Sequence, residues 1–232
     1  MAKNRLYSIV QSKFTYLLVS MLVLFLIAPL FEGRVIARGL LDIFTSVVLV
    51  SAVYAVSQKK GFFVIAVILV LPVLAGRWSS YLIDSPFLGF MGMSFGVLFL
   101  GFTATNIMAN VFREEEVTTD TISGAICVYL LIGLAWAFLF SVIEYLHPGS
   151  FSFGQSIADT SGQPLDQQNT LFIYYSFVTL TTLGYGDVLP LTPSTRSLAM
   201  IEAVVGQIYL TVLVARLVGL HIVHSSEKNR ER

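Results

Sequence analysis

Six stretches of this sequence are apolar for close to the length that a helix needs to cross a bilayer, about 20 residues. They are Phe14–Phe31, Leu40–Val56, Phe62–Ala75, Phe87–Ile107, Ile122–Leu146 and Arg196–Leu220. The third is short and carries Pro72, so its ends are the least defined. A chain built this way cannot bury its apolar surface in a single water-surrounded core. Of its 232 residues, 56% are hydrophobic and 12% charged, whereas a soluble domain carries about a quarter charged residues. A seventh apolar run, Leu171–Leu183, is too short to cross and predicts a helix that enters the membrane and turns back. The expected class is an all-α membrane protein with six transmembrane helices and a re-entrant helix between spans five and six.

The first span follows Lys3, Arg5 and Lys13, but "LIAPLFEG" offers no small-x-small cleavage site, so an uncleaved span is expected over a secretory signal. Basic residues then set the orientation. With the N-terminus inside, Lys3, Arg5, Lys13, Lys59, Lys60, Arg113, Arg216, Lys228, Arg230 and Arg232 lie inside, against Arg34, Arg38, Arg77 and Arg196 outside. Both termini are expected to be cytoplasmic. The domain boundaries follow: four spans over 1–112, a charged inner-surface connector over 113–121, a second unit over 122–220 and a short tail over 221–232. The outer loop His147–Asn169 is rich in Gly, Ser, Pro, Asp and Gln, with Asp159 and Asp166 read as solvated carboxylates. No cytoplasmic regulatory domain fits into the dozen residues after the last span.

Zero net charge gives no reason to expect a nucleic-acid partner. Cys127 is the single cysteine, and His147, His221 and His224 make no metal-ligand spacing. No nucleophile–base pair or buried proton relay stands out, so neither an enzyme nor a resident cofactor is expected.

The run "TLTTLGYGDV", Thr179 to Val188, carries the chemistry. Irregular backbone at membrane depth survives only when buried in protein or lining a water-filled path. Glycine tolerates backbone angles closed to other residues, so alternate residues here can turn successive carbonyls to one side. A line of carbonyl dipoles suits a dehydrated cation and repels an anion. One chain supplies one line, and enclosing an ion takes a ring of copies; carbonyl rings from four loops replace the hydration shell of K+ in selective filters.

The run resembles the signature of the potassium channel family, Thr-x-x-Thr-x-Gly-Tyr-Gly-Asp, matched at Thr179, Thr182, Gly184, Tyr185, Gly186 and Asp187. That family has an outer helix, a pore helix, the filter and an inner helix, an order fitted by Ile122–Leu146, Leu171–Thr181, Thr182–Asp187 and Arg196–Leu220. The resemblance implies a homotetramer in the plasma membrane that passes K+. Its ions would be held by carbonyls of Thr182, Leu183, Gly184 and Tyr185, with the Thr182 hydroxyl as the innermost ring and Gly186 completing the filter. Thr179, Thr181, Tyr174, Tyr175 and Asp187 would support it, Tyr185 would brace against neighbouring pore helices, and Asp187 would sit at the outer mouth. A compact chain of this kind points to a prokaryotic inner membrane.

Some positions depart from the family pattern. Leu183 stands where valine or isoleucine is usual. Val178 replaces a glutamate that pairs with the aspartate in some members, which leaves Asp187 to find another partner, with the Tyr174 hydroxyl in reach. Tyr174 and Tyr175 stand for a frequent aromatic pair, or serve as interfacial anchors. The intact Gly184-Tyr185-Gly186 argues against a non-selective cation channel, because less selective relatives often alter that tyrosine. A non-conducting modulatory subunit is the other alternative.

In the last span Gly206 is read either as a hinge or as a small residue for close packing. Gln207 must face protein or water. Glu202 is an intramembrane carboxylate, by default a functional candidate, placed to reach the outer surface or to support the filter. Arg216 is expected to snorkel to the inner interface. Six spans with the pore last is the voltage-gated layout, and moving one charge through 100 mV is worth about 2.3 kcal/mol. The fourth span, "FLGFMGMSFGVLFLGFTATNI", has no Lys, Arg, Asp or Glu, so little or no voltage dependence is expected.

Overall fold

Over the residues described, every apolar run lies in a helix. The computed structural model describes residues 13–27, 35–57, 60–79, 81, 85–114, 117–153 and 165–230, with backbone alone for 35–38, 41, 86, 165–168 and 221–230. Five helices come first: α1 (Lys13–Ile27), α2 (Val35–Val56), α3 (Lys60–Ser79), α4 (Pro86–Val111) and α5 (Thr119–Leu146). A short strand β1 (Phe151–Phe153), helix α6 (Leu165–Leu180), strand β2 (Val188–Pro190) and helix α7 (Pro193–Arg230) complete the order.

Among the described residues four helices are long and apolar enough to cross a membrane: α3, α4 from Phe87, α5, and α7 as far as Leu220. In α1, 15 residues are described, and in α2 the apolar helix found among the described residues is Asp42–Val56. The third span, expected to be the shortest at Phe62–Ala75, instead runs from Lys60 to Ser79 through Pro72. The end of the first apolar run (28–31), Glu115 and Glu116 of the connector, and loop residues 154–164 lie outside the described residues.

Three boundaries differ from expectation. The connector is shorter, because Thr118 caps α5, its hydroxyl accepting from Thr121 N at 3.1 Å. The re-entrant helix begins at Leu165 rather than Leu171, since its first turn, "LDQQN", is polar and carries no hydropathy signal. Residues 221–230 continue α7 rather than forming a separate tail. The small sheet is an addition to an otherwise all-α fold: Phe151, Ser152 and Phe153 pair antiparallel with Pro190, Leu189 and Val188.

Helix α4 packs antiparallel on α5 of its own chain along their whole length. Phe90 stacks on Tyr145 with centroids 4.9 Å apart, Gly96 lies under the Phe138 ring, and Gly124 meets Val111 and Phe14. The start of α1 docks at that same lower end. Phe14 N–H donates to Asp120 Oδ1 at 3.2 Å, which satisfies one of the orphan donors of a helix start, and the Cys127 thiol donates to Phe14 O at 3.4 Å. At the opposite end Asp42 of α2 accepts from Arg77 Nε at 2.5 Å and the Tyr81 hydroxyl at 2.6 Å. These contacts put the start of α1 beside the start of α5, and the start of α2 beside the end of α3, as alternating spans require.

Between α3 and α4 the backbones nearly touch. A Cβ on Gly76 would lie 2.6 Å from Leu88 O and 2.9 Å from Gly92 Cα, whereas one on Gly101 would meet nothing within 4 Å. Gly76→Ala should therefore destabilise the detergent-solubilised protein by about 1–3 kcal/mol through overpacking. Gly101→Ala should leave the melting temperature unchanged or slightly raised.

Candidate functional site

The backbone between α6 and β2 changes hand at every other residue. Thr182 (φ 60°), Gly184 (φ 61°) and Gly186 (φ 76°) are left-handed, while Leu183 and Tyr185 between them are not. Thr182 is the single non-glycine residue with positive φ among those described. Alternation of this kind turns successive peptide planes the same way, so their carbonyls stack on one side and side chains project on the other. The first N–H groups of the run return to the end of α6: Thr182 N to Thr179 O at 2.9 Å, and Leu183 N and Gly184 N to Val178 O at 2.9 and 3.2 Å. The turn thereby satisfies helix-end carbonyls, and among the described residues no group donates to those of the run.

All six residues from Thr181 to Gly186 are exposed on the single chain, Leu183 at 55% and Tyr185 at 66%.

The supporting residues are brought together in two groups. At the outer end the Tyr174 hydroxyl donates to Asp187 Oδ2 at 2.6 Å, the Asp187 backbone neighbour Val188 N donates to Oδ1 at 3.1 Å, and the Tyr174 ring stacks on Tyr185 at 6.4 Å and 8°. Tyr174 thus stands where the glutamate absent at Val178 would have acted. Tyr175 is buried, edge-on to Phe140 and Phe151 at 5.2 and 5.4 Å. It belongs to an aromatic core rather than to an interfacial belt. Thr181 Oγ1 returns to Phe177 O at 2.6 Å.

Behind α6 the contacts are close and depend on small residues. Gly133 of α5 faces Phe177 and Leu180, and a Cβ on Gly206 of α7 would lie 2.5 Å from Leu180 O. Gly206 therefore packs closely on the end of α6, in a helix that continues unbroken past it. The Tyr129 hydroxyl donates to Leu180 O at 3.3 Å. Glu202 is fully buried one turn before Gly206, with Oε1 2.5 Å from Ser176 Oγ, so it stands behind the run rather than at the outer surface. Gln207 is exposed on the other face of α7, in line with Thr211. Arg216 reaches the connector: it donates to Glu114 O at 2.7 Å and lies 4.9 Å above the Phe112 ring.

Sequence reasoning passed over Ser176, Gly133, Tyr129 and Glu144. Glu144 accepts from Gly149 N at 2.8 Å and Phe151 N at 3.1 Å, fixing the strand that pairs with β2 just after the run. The available signal was Glu202 itself, because a buried carboxylate requires a polar partner.

Tyr174→Phe keeps the stacked ring and removes the hydrogen bond to Asp187. Because Asp187 is half-exposed, water replaces part of the loss, and a cost of about 1 kcal/mol is expected. Ion flux through reconstituted protein should fall by a factor of about five, and Tyr174→Ala should be worse.

Residues 125–220 match the family model described as "Ion channel". Comparison with curated proteins and with solved structures gave no match. The matched segment takes in nearly all of α5, the whole of α6, the alternating run and α7 as far as Leu220. That part of the chain is similar to an ion channel domain, and the similarity supports ion channel activity.

Proposed function

We propose that four copies of this chain form a potassium-selective channel whose conduction does not depend on voltage. The observation that carries the reading is the alternation of backbone hand at Thr182, Gly184 and Gly186. Carbonyls of Thr182, Leu183, Gly184 and Tyr185 hold K+, with the Thr182 hydroxyl innermost and Gly186 and Asp187 leading to the outer mouth. Four such lines around one axis supply the oxygens that replace the ion's water. Neighbouring copies cover Leu183 and Tyr185, whose exposure in one chain supports the assembly. The negative end of α6 points at the ion path and favours a cation there. Gln207 and Thr211 line the path below.

In this reading α1–α5 and α7 are six spans and α6 is the re-entrant pore helix. The protein lies in the plasma membrane of a prokaryotic cell with both termini in the cytoplasm, and α1–α4 form a sensor-like domain without gating charges. Helix α4 contains no Lys, Arg, Asp or Glu, so the field has little to act on.

The test is K+ flux from liposomes holding the purified chain, wild type and Gly184→Ala. A side chain at φ 61° is strained by about 1–2 kcal/mol and turns the carbonyl line, so the variant should lose K+ flux. Unaltered flux would refute the filter assignment. Reversal potentials in mixed K+ and Na+ should follow K+; equal permeabilities would make this a non-selective cation channel, and no flux from the wild-type chain alone would favour a modulatory subunit. Steep voltage activation would overturn the voltage independence.

A further inference from the structure

Building on the filter reading, the structure adds a positioning residue behind it. Ser176 lies in the middle of α6, and its hydroxyl oxygen makes two short contacts. One is to the backbone carbonyl of Gly133 in α5 at 2.7 Å, the other to Oε1 of Glu202 in α7 at 2.5 Å. A serine hydroxyl has one hydrogen to give, and a carbonyl can only accept. If that hydrogen went to a Glu202 carboxylate, the Ser176 oxygen would face the Gly133 oxygen at 2.7 Å with no hydrogen between them. Both contacts are satisfied when Ser176 donates to Gly133 and the Glu202 carboxyl donates to Ser176.

The surroundings of Glu202 agree with a neutral acid. The residue is fully buried, and its Oε2 has no hydrogen-bond partner. Among the described residues no Lys, Arg or His stands within ion-pairing distance. The ionisable side chains close to it include Tyr129 from α5 and Tyr175 from α6, and the Tyr129 hydroxyl donates to Leu180 O. A carboxylate here would be a buried charge with no countercharge, whereas a carboxylic acid leaves only a neutral carbonyl unpaired.

We propose that Glu202 is held as a neutral carboxylic acid whose proton, donated to Ser176, locks α7 to the pore helix and thereby positions the filter. The register supports it. Glu202 and Gly206 are four apart on one face of α7, and they meet Ser176 and Leu180, four apart on one face of α6. The polar contact and the backbone contact thus form one seam, which ends two residues before Thr182. A movement of the inner helix that opens the seam reaches the filter through Leu180.

Infrared difference spectra of wild type against Glu202→Gln test the proton at neutral pH. A protonated carboxyl band that shifts in D2O and is missing from the variant is expected; its absence from wild type would overturn the proposal. Sustained K+ flux tests the lock. Glutamine keeps an N–H donor toward Ser176, so Glu202→Gln should stay within about twofold of wild type, whereas Glu202→Leu should lose about tenfold. Ser176→Ala should lose as much, and the double variant no more than either single one. Additive losses, or equal losses in the glutamine and leucine variants, would overturn the lock. Where Glu202→Leu does not assemble, the infrared band decides: in Ser176→Ala it should move to that of a carboxyl without an acceptor, and an unmoved band would overturn the contact. Absence of any flux from the wild-type chain would count against the filter reading and leave the proton to the infrared band.

Discussion

A row of backbone carbonyls that no group among the described residues satisfies is the constraint on which the proposed reading of this structure depends. The turn after α6 creates this row. It spends the N–H groups of Thr182, Leu183 and Gly184 on the end of α6, and alternating hand then commits the following carbonyls to a single side. Such an edge is unfavourable in lipid. In the proposed channel a cation replaces the missing donors, and this geometry supports that reading.

An edge of this kind has to be held in place, and the holding is done by small residues as much as by hydrogen bonds. Gly133 lets α5 close on the Phe177 and Leu180 side chains of α6, and Gly206 lets α7 approach until its backbone nearly meets Leu180 O. Tyr129, Ser176 and Glu202 put polar contacts into the same seam. On the outer side, the pairing of β1 with β2 and the Tyr174–Asp187 bond fix the chain as it leaves the run. Proximity matters more than bulk here: a Cβ at Gly206 would push against the carbonyl of Leu180, two residues from Thr182.

The fold was legible in the sequence wherever one segment speaks for itself. Apolar length gave the helices, and the spacing of Gly184 and Gly186 with Thr182 gave the alternating run. Asp187 lacking a glutamate partner pointed to Tyr174, which the structure places 2.6 Å away. Features made by two distant segments were not legible. The pairing of Phe151–Phe153 with Val188–Pro190 joins two three-residue pieces too short to show a period of two. The polar first turn of α6 hid its start, because hydropathy reports burial in lipid and not helicity. Glu202 was recognisable as unusual, but only packing could name Ser176 and Gly133 as what it meets.

The relation between α4 and the pore unit follows from the same logic of close approach. A helix that moves with the field needs charges and a crevice in which they can find water and counter-charges. Helix α4 carries none of the charges. Its face toward α5 is closed at Val111 and Gly124, at Gly96 and Phe138, and at Phe90 and Tyr145. Electrostatics and packing therefore support the same proposal, that the four-span unit is a fixed buttress for the pore rather than a moving sensor. A stimulus would have to enter where this packing gives way to polar contacts. Two places qualify: the grip of Arg216 on Glu114 and Phe112 at the foot of the inner helix, and the Ser176–Glu202 seam behind the filter. The first is exposed and can exchange its partners for water at small cost, whereas the second is sealed. In the proposed orientation a signal from the cytoplasm meets Arg216 first, and it would reach the proposed filter by moving α7 as a rod against Leu180.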